Sequence, residues 1–358
     1  MAGAPSDHDL AAYDYDLPPE LVAQEPLARR DASRLLVLDR ASGALAHRTF
    51  EHLPDLLRPG DLLVTNRSRV FPARLLGRRQ GGGAAEILLV RRTGPDAWEA
   101  MVRPGRRLRP GTVVDVAPGF RVRVEQPVDP AGARPGPPTG LRQVRLFLDR
   151  LDAGAALERH GHVPLPPYIR RADGASDRER YQTVYARETG SVAAPTAGLH
   201  FTPDLLARLA DRGIERAEVV LHVGPGTFRP VEVQDVREHR VDPERSTIPE
   251  GTAAAVERAL AEGRRVVAVG TTTTRALESA IDERGHIRAG ESETGLVIVP
   301  GFRFRATGAL VTNFHLPRSS LLLLVSAFAG RERVLAAYAE AARLGYRFYS
   351  YGDATLVL

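Results

Sequence analysis

Between residues 69 and 149 apolar residues come in short runs or alternate with polar ones, and Gly and Pro break the runs. Segments 85–92, 97–103, 112–116, 119–125 and 141–149 read as strands. In the fourth, Phe120, Val122 and Val124 share one side while Arg121 and Arg123 take the other, which is the period of a half-buried strand. Several short strands at this spacing predict a small barrel or sandwich. The Pro-rich stretch 126–140 between the last two reads as a loop.

After residue 200 the period changes. Thr202 and Pro203 cap and start a helix whose Leu205, Leu206 and Leu209 share a face, and Gly213 ends it. A strand at 217–223, a helix at 252–262, a strand at 265–270, a helix at 272–283 and a strand at 294–299 follow. This alternation predicts a layered α/β domain with a largely parallel sheet. No internal repeat interrupts it.

Length agrees with more than one core, since 358 residues exceed an ordinary single domain. The N-terminus carries Asp7, Asp9, Asp14 and Asp16 before any basic residue and lacks the apolar centre of a secretory signal. The longest apolar run, 321–329, is shorter than the ~20 residues of a membrane helix, so a cytoplasmic protein without a membrane partner is expected.

Two compositional absences restrict the chemistry. There is no Cys, which removes disulfides, thiolate nucleophiles and thiolate-held metal clusters. Every one of the 49 basic residues is Arg, so neither a Schiff-base lysine nor a phosphate-loop lysine is present. Catalysis falls to His, carboxylates, hydroxyls or backbone. The net charge of +5 is modest, but from 58 to 123 there are 14 Arg against five acids, an excess that suits a nucleic-acid surface.

Ligands of open α/β sheets gather at the carboxyl ends of the strands. Four segments at or beside such ends are unusual: GSVAAPTAGLHF at 190–201, HVGPGTF at 222–228, GTTTTR at 270–275 and NFHLPR at 313–318. Each also has an ordinary reading, because Gly-Pro-Gly makes tight turns and Thr caps helices. A lone His is more often a hydrogen-bonded structural residue than a catalyst. Here His200, His222 and His315 stand at the ends of neighbouring elements, and none has metal-ligand spacing.

These segments, with YQTVYA at 181–186, PLPPYI at 164–169, YRFYSYGD at 346–353, and Tyr15-Asp16-Leu17-Pro18 and Gln24-Glu25-Pro26 near the start, resemble the S-adenosylmethionine:tRNA ribosyltransferase-isomerases of the queuosine pathway. The resemblance runs from about residue 13 to 356. It implies an α/β catalytic domain built from both ends of the chain, 1–68 and 150–358, with a β-barrel domain inserted at 69–149. It also implies a reaction: the ribosyl unit of S-adenosylmethionine moves onto 7-aminomethyl-7-deazaguanine at the tRNA wobble position, and adenine and methionine leave. S-adenosylmethionine is then a co-substrate, with no other cofactor and no metal, and the protein acts on tRNA as a monomer. Where the family has His-x-Met-His-x-Glu, this chain has His239, Val241, Asp242 and Glu244, so only His239 and Glu244 carry over. Arg67 and Ser68 likewise replace the more usual Asp or Asn followed by Thr.

On this reading the catalytic candidates are His200, His222 and His315, with Asp353 and Glu244 to orient a His or balance the sulfonium. A base is needed near the ribose C5′, whose proton the sulfonium acidifies, and adenine needs a proton as it departs; His serves either role. Tyr168, Arg170, Tyr181, Gln182, Thr183, Pro195, Thr196, Gly198, Phe201, Gly224, Gly226, Thr227, Thr271, Thr272, Arg275, Asn313, Phe314 and Arg318 are the binding candidates. Arg67, Arg69, Arg74, Arg103, Arg106, Arg107 and Arg109 are the candidates for tRNA contact. His200, His222 and His315 are expected to share one pocket with Thr271, Thr272 and Arg275. Two rivals stand beside this reading: a non-catalytic RNA-binding protein, and a conventional methyltransferase using the same donor, which lacks its Gly-rich loop here.

Overall fold

The computed structural model describes residues 6–127, 141–228 and 230–358. Six strands, Arg74–Arg79, Ala84–Arg92, Ala97–Arg103, Val113–Ala117, Phe120–Pro127 and Leu141–Leu148, close into a barrel. The alternation is realised in the fifth, where Phe120, Val122 and Val124 are buried and Arg121 and Arg123 exposed. Gln126 and Pro127, expected in the loop, extend that strand to pair with Leu141–Leu148. The rest of the expected loop, 128–140, lies outside the described residues. Arg74–Arg79 was not picked out as a strand because three Arg and a Gly mask its short apolar pattern.

The two ends of the chain build one nine-stranded sheet. Its centre runs Glu215–Leu221, Leu62–Asn66, Val266–Val269 and Ala309–Asn313, all mutually parallel. Beyond it the sheet is mixed rather than largely parallel: Ala354–Val357 runs antiparallel to Ala309–Asn313, and Arg34–Leu38 parallel to Ala354–Val357. These central strands are apolar on both faces because helices cover both. Leu62, Val64, Val266, Ala268 and Leu310 pack towards the helices Glu250–Ala261, Thr271–Ala280, Ser320–Ala329 and Arg331–Arg343. Leu63, Val267, Val269, Ala309 and Val311 pack with Leu205 and Leu209 of Pro203–Asp211. Thr202 caps that last helix by accepting from Leu205 N, with Pro203 in its first turn. The expected strand at 294–299 is displaced: Gly290–Thr294 is the strand, and the apolar residues after it line a cavity instead. Among the described residues no helix is long and apolar enough to cross a membrane.

Candidate active site

Four parallel strands end side by side, so the residues leaving them meet. Asn66, at the end of Leu62–Asn66, ties this edge together. Its Oδ1 accepts from Ser68 N and Leu221 N at 3.1 Å, and its Nδ2 donates to Leu221 O at 2.9 Å. Two adjoining cavities open here. The larger, about 340 Å³, lies between the barrel and the sheet, and Val90, Arg91, Glu99, His222, Gly224, Gly226, Glu244 and Arg275 line it. The smaller, about 40 Å³, is lined by Tyr168, Pro195, Thr196, Thr271, Thr272, Asn313, Phe314 and His315. Val223 and Leu321 are common to both walls.

The three histidines therefore do not share one pocket. His200 lies behind Asn313, beside a third hollow lined by Arg30, Ser33 and Ser350. Asn313 Nδ2 donates to His200 Nε2 at 3.1 Å, so the ring proton sits on Nδ1, facing Ser33 Oγ at 2.7 Å. Burial first, then Arg30 and Arg347, lowers its pKa to about 3. His315 is bonded through Nε2 to Thr312 Oγ1 at 2.8 Å, and burial lowers it to about 3 as well. Both are held neutral.

His222 differs. Half-buried at the wall of the larger cavity, it has an Nδ1 with no hydrogen-bond partner among the described residues. Burial, then Arg245, pushes its pKa below 6.5. Gly190 makes this position possible. A Cβ there would stand 2.7 Å from the His222 ring, and its φ of +153° disfavours a side chain in any case.

The depressed pKa values of His200 and His315 carry a pH dependence. The unfolded chain binds protons at these sites near pH 6.5, whereas the folded chain resists until about pH 3. Their contribution is complete above pH 6.5 and is lost as pH falls towards 3. Each is expected to lower stability by up to ~1.4 kcal/mol per pH unit in that window. Denaturant midpoints at stepped pH for the parent and a His315→Asn variant measure this, and an identical acid slope in the two removes His315 from the account.

Glu244 and Arg275, widely separated in sequence, form an ion pair in which both side chains are at most 10% exposed. Glu244 also accepts from Gly224 N at 2.8 Å, and Arg275 donates to Leu296 O at 2.9 Å. Asp353 lines neither cavity. Its carboxylate accepts from Arg34 N, Arg34 Nε and Arg347 N, which ties Ala354–Val357 to the neighbouring strand.

Several binding candidates also turn out to support the wall rather than form it. Gln182 bonds Val70 at both N and O, and Phe201 stacks edge-on against Phe50. Gly198 lies so close to Tyr185 that a Cβ would meet its hydroxyl at 2.2 Å. Tyr181 and Thr183 are buried outside both cavities. Arg170 N donates to Gln24 Oε1 at 2.8 Å, and Arg318 pairs with Asp14. The side chain of Thr227 lies outside the described residues.

Sequence reasoning missed Arg91 and Glu99, a barrel pair at the cavity mouth, and Glu293. No motif marks them. Tyr349 and Ser350 stood inside a quoted motif and line the smaller cavity, so they were within reach.

Of the arginines, Arg67 holds Glu188 and Glu218, and Arg74 holds Glu86, so both are half-buried and neutralised. Arg69, Arg103, Arg106, Arg107 and Arg109 are exposed, with no ion-pair partner among the described residues. Among those residues, too, no group of three or more His, Asp or Glu is placed to hold a metal.

Comparison with known proteins accords with this architecture. Residues 10–357 match the family described as "Queuosine biosynthesis protein". The S-adenosylmethionine:tRNA ribosyltransferase-isomerase of Symbiobacterium thermophilum is 52% identical over 351 residues, covering 98% of this chain and 99% of that one. That of Gloeobacter violaceus is 53% identical over 347 residues, covering 97% and 95%. The crystal structure of the S-adenosylmethionine tRNA ribosyltransferase of Thermotoga maritima matches with a TM-score of 0.53 at 36% identity, covering 99% of this chain and all of that one. Matches of this extent leave no major segment unaccounted for, and the chain belongs to the queuosine biosynthesis family of S-adenosylmethionine:tRNA ribosyltransferase-isomerases.

Proposed function

We propose that this protein transfers and isomerises the ribosyl moiety of S-adenosylmethionine onto 7-aminomethyl-7-deazaguanine at the wobble position of tRNA, giving epoxyqueuosine-tRNA with release of adenine and methionine. Family membership over nearly the whole chain carries this reading. The cleft between barrel and sheet supplies what the reaction needs: a neutral His, a buried ion pair and an apolar wall. His222 is the base for the C5′ proton, because its imidazole lines the larger cavity and its lowered pKa keeps it unprotonated at neutral pH. His200 and His315, held neutral in hydrogen bonds, position other groups. Glu244 and Arg275 shape the floor of the larger cavity; because that pair and the Arg91–Glu99 pair are each net-neutral, the sulfonium is left to be balanced by Glu293. The test is product analysis with purified protein and tRNA carrying the aminomethyl base. Free adenine is expected; S-adenosylhomocysteine would mean methylation, and neither product would mean a binding protein.

The inserted unit is taken as 69–149, and the reading places the protein in the cytoplasm as a monomer; a dimer by sedimentation would overturn the last point. The exposed Arg69, Arg103, Arg106, Arg107 and Arg109 hold the tRNA backbone. Log affinity should fall against log salt with a slope of about −0.7 per phosphate neutralised on a single-stranded loop. An Arg106→Ala, Arg107→Ala double variant is expected to flatten that slope by about 1.4 in filter binding over a salt series. An unchanged slope would remove both residues from the contact surface.

A further inference from the structure

The smaller cavity presents buried polar groups that the protein leaves unmatched. The helix Thr271–Ala280 starts directly from the strand Val266–Val269 through Gly270, at φ +90°, and no side chain among the described residues caps it. Thr274 N bonds Gly270 O, but the N–H groups of Thr271, Thr272 and Thr273 have no acceptor among the described residues. All three residues are at most 7% exposed. Buried donors of this kind are costly unless something accepts from them, and a helix start favours an anion.

A second, independent observation lies on the neighbouring strand. Asn313 lines the same cavity, is 2% exposed, and its Oδ1 has no partner among the described residues. Its amide cannot be turned round to relieve this. Nδ2 donates to Tyr349 O at 3.1 Å as well as to His200 Nε2, and a flip would set oxygen against the Tyr349 carbonyl. His200, fixed as an acceptor at Nε2, thus holds Asn313 with its acceptor end free. The cavity that Asn313 lines is where a donor for that oxygen has room.

Three free donors at a positive helix end and one free acceptor nearby describe a zwitterion. A phosphate would satisfy the N–H groups but place negative charge against Oδ1. About 40 Å³ holds roughly three water-sized groups, the two oxygens and one nitrogen of an α-amino acid terminus. The larger cavity, reached past Val223 and Leu321, has room for the rest of a nucleoside-bearing substrate. We propose that the N–H groups of Thr271, Thr272 and Thr273 bind the α-carboxylate, and Asn313 Oδ1 the α-ammonium, of the amino-acid end of the S-adenosylmethionine substrate. The assignment rests on the ribosyl-transfer reading of this cleft. It makes Asn313 a binding residue and His200 a positioning residue.

Thr271→Pro tests it with little disturbance, because proline is tolerated at the first position of a helix and deletes one N–H. Gly270 already has ψ 153°, which suits a following proline. Thr271→Val removes the hydroxyl and keeps the N–H. Calorimetric titration of the full-length protein with S-adenosylmethionine and with its decarboxylated analogue is expected to favour the former by at least about tenfold, the effect of a charge-assisted bond. Thr271→Pro should lose most of that preference, and Thr271→Val should retain it. Equal binding of the two ligands by the parent, or full preference in a folded Thr271→Pro variant, overturns the assignment. If Thr271→Pro fails to fold, the parent's preference decides alone. Adenine release by the same parent preparation separates the two claims: release without ligand preference sinks the subsite only, and preference without release sinks the reaction only.

Discussion

Adenine release by a His222→Gln variant is expected to fall by ~10²–10⁴-fold in a single turnover, with thermal unfolding close to that of the parent. The small stability cost follows from its surroundings. His222 is half-buried and its Nδ1 is unpartnered among the described residues, so replacement breaks no side-chain hydrogen bond there. The loss of rate follows from its place on the wall of the larger cavity, where a neutral imidazole can take a proton. The pH profile adds a sign. Burial lowers its pKa, so the neutral base persists below pH 6.5 and the acid limb of the rate should fall below that value. A folded His222→Gln variant with near-parental adenine release would end its assignment as base. Replacing His200 by Asn should behave differently, costing ~1–3 kcal/mol of stability through its unpaired neighbours Ser33 and Asn313.

Breaking the Glu244–Arg275 pair should have the largest effect on stability. Both partners are buried, and Arg275 also binds Leu296 O while Glu244 holds Gly224 N. Removing one leaves the other charged in a site that cannot solvate it, at a cost of about 3–5 kcal/mol. Arg275→Met and Glu244→Gln should therefore lower the urea midpoint strongly. The double variant should be less destabilised than the two losses combined, because no orphan charge remains. Losses below about 1 kcal/mol in both single variants would mean that water reaches the pair and that it behaves like a surface bridge.

The barrel and the central sheet were readable because their signals are local. Alternation at Phe120–Val124 and the Thr202-Pro203 start both depend on residues within a few positions. Arg74–Arg79 was not, since its polar residues face out from a closed barrel and leave only Leu75 buried within the range. The strand at Gly290–Thr294 was missed for a related reason. It is polar and exposed at the sheet edge, whereas the apolar residues following it serve a cavity wall and resemble a strand only by composition.

For the site, sequence by itself determined which segments matter: each strand-end motif supplies at least one residue to the cleft, because parallel strands deliver their carboxyl ends to one edge. It also determined, through the absence of Cys and Lys, that catalysis falls to His, carboxylates, hydroxyls or backbone. Only the tertiary structure decided what each histidine does. Which ring nitrogens are bonded and which are packed away depends on Ser33, Asn313, Thr312 and Gly190, neighbours brought in from distant segments or from the far side of a turn. The same holds for the arginines. Arg67 and Arg74 looked like their exposed neighbours in the chain, and only the packing of Glu188, Glu218 and Glu86 against them shows their charge already spent. A residue's chemistry is local, but its protonation, partners and access to substrate are set by burial and by groups the fold places beside it.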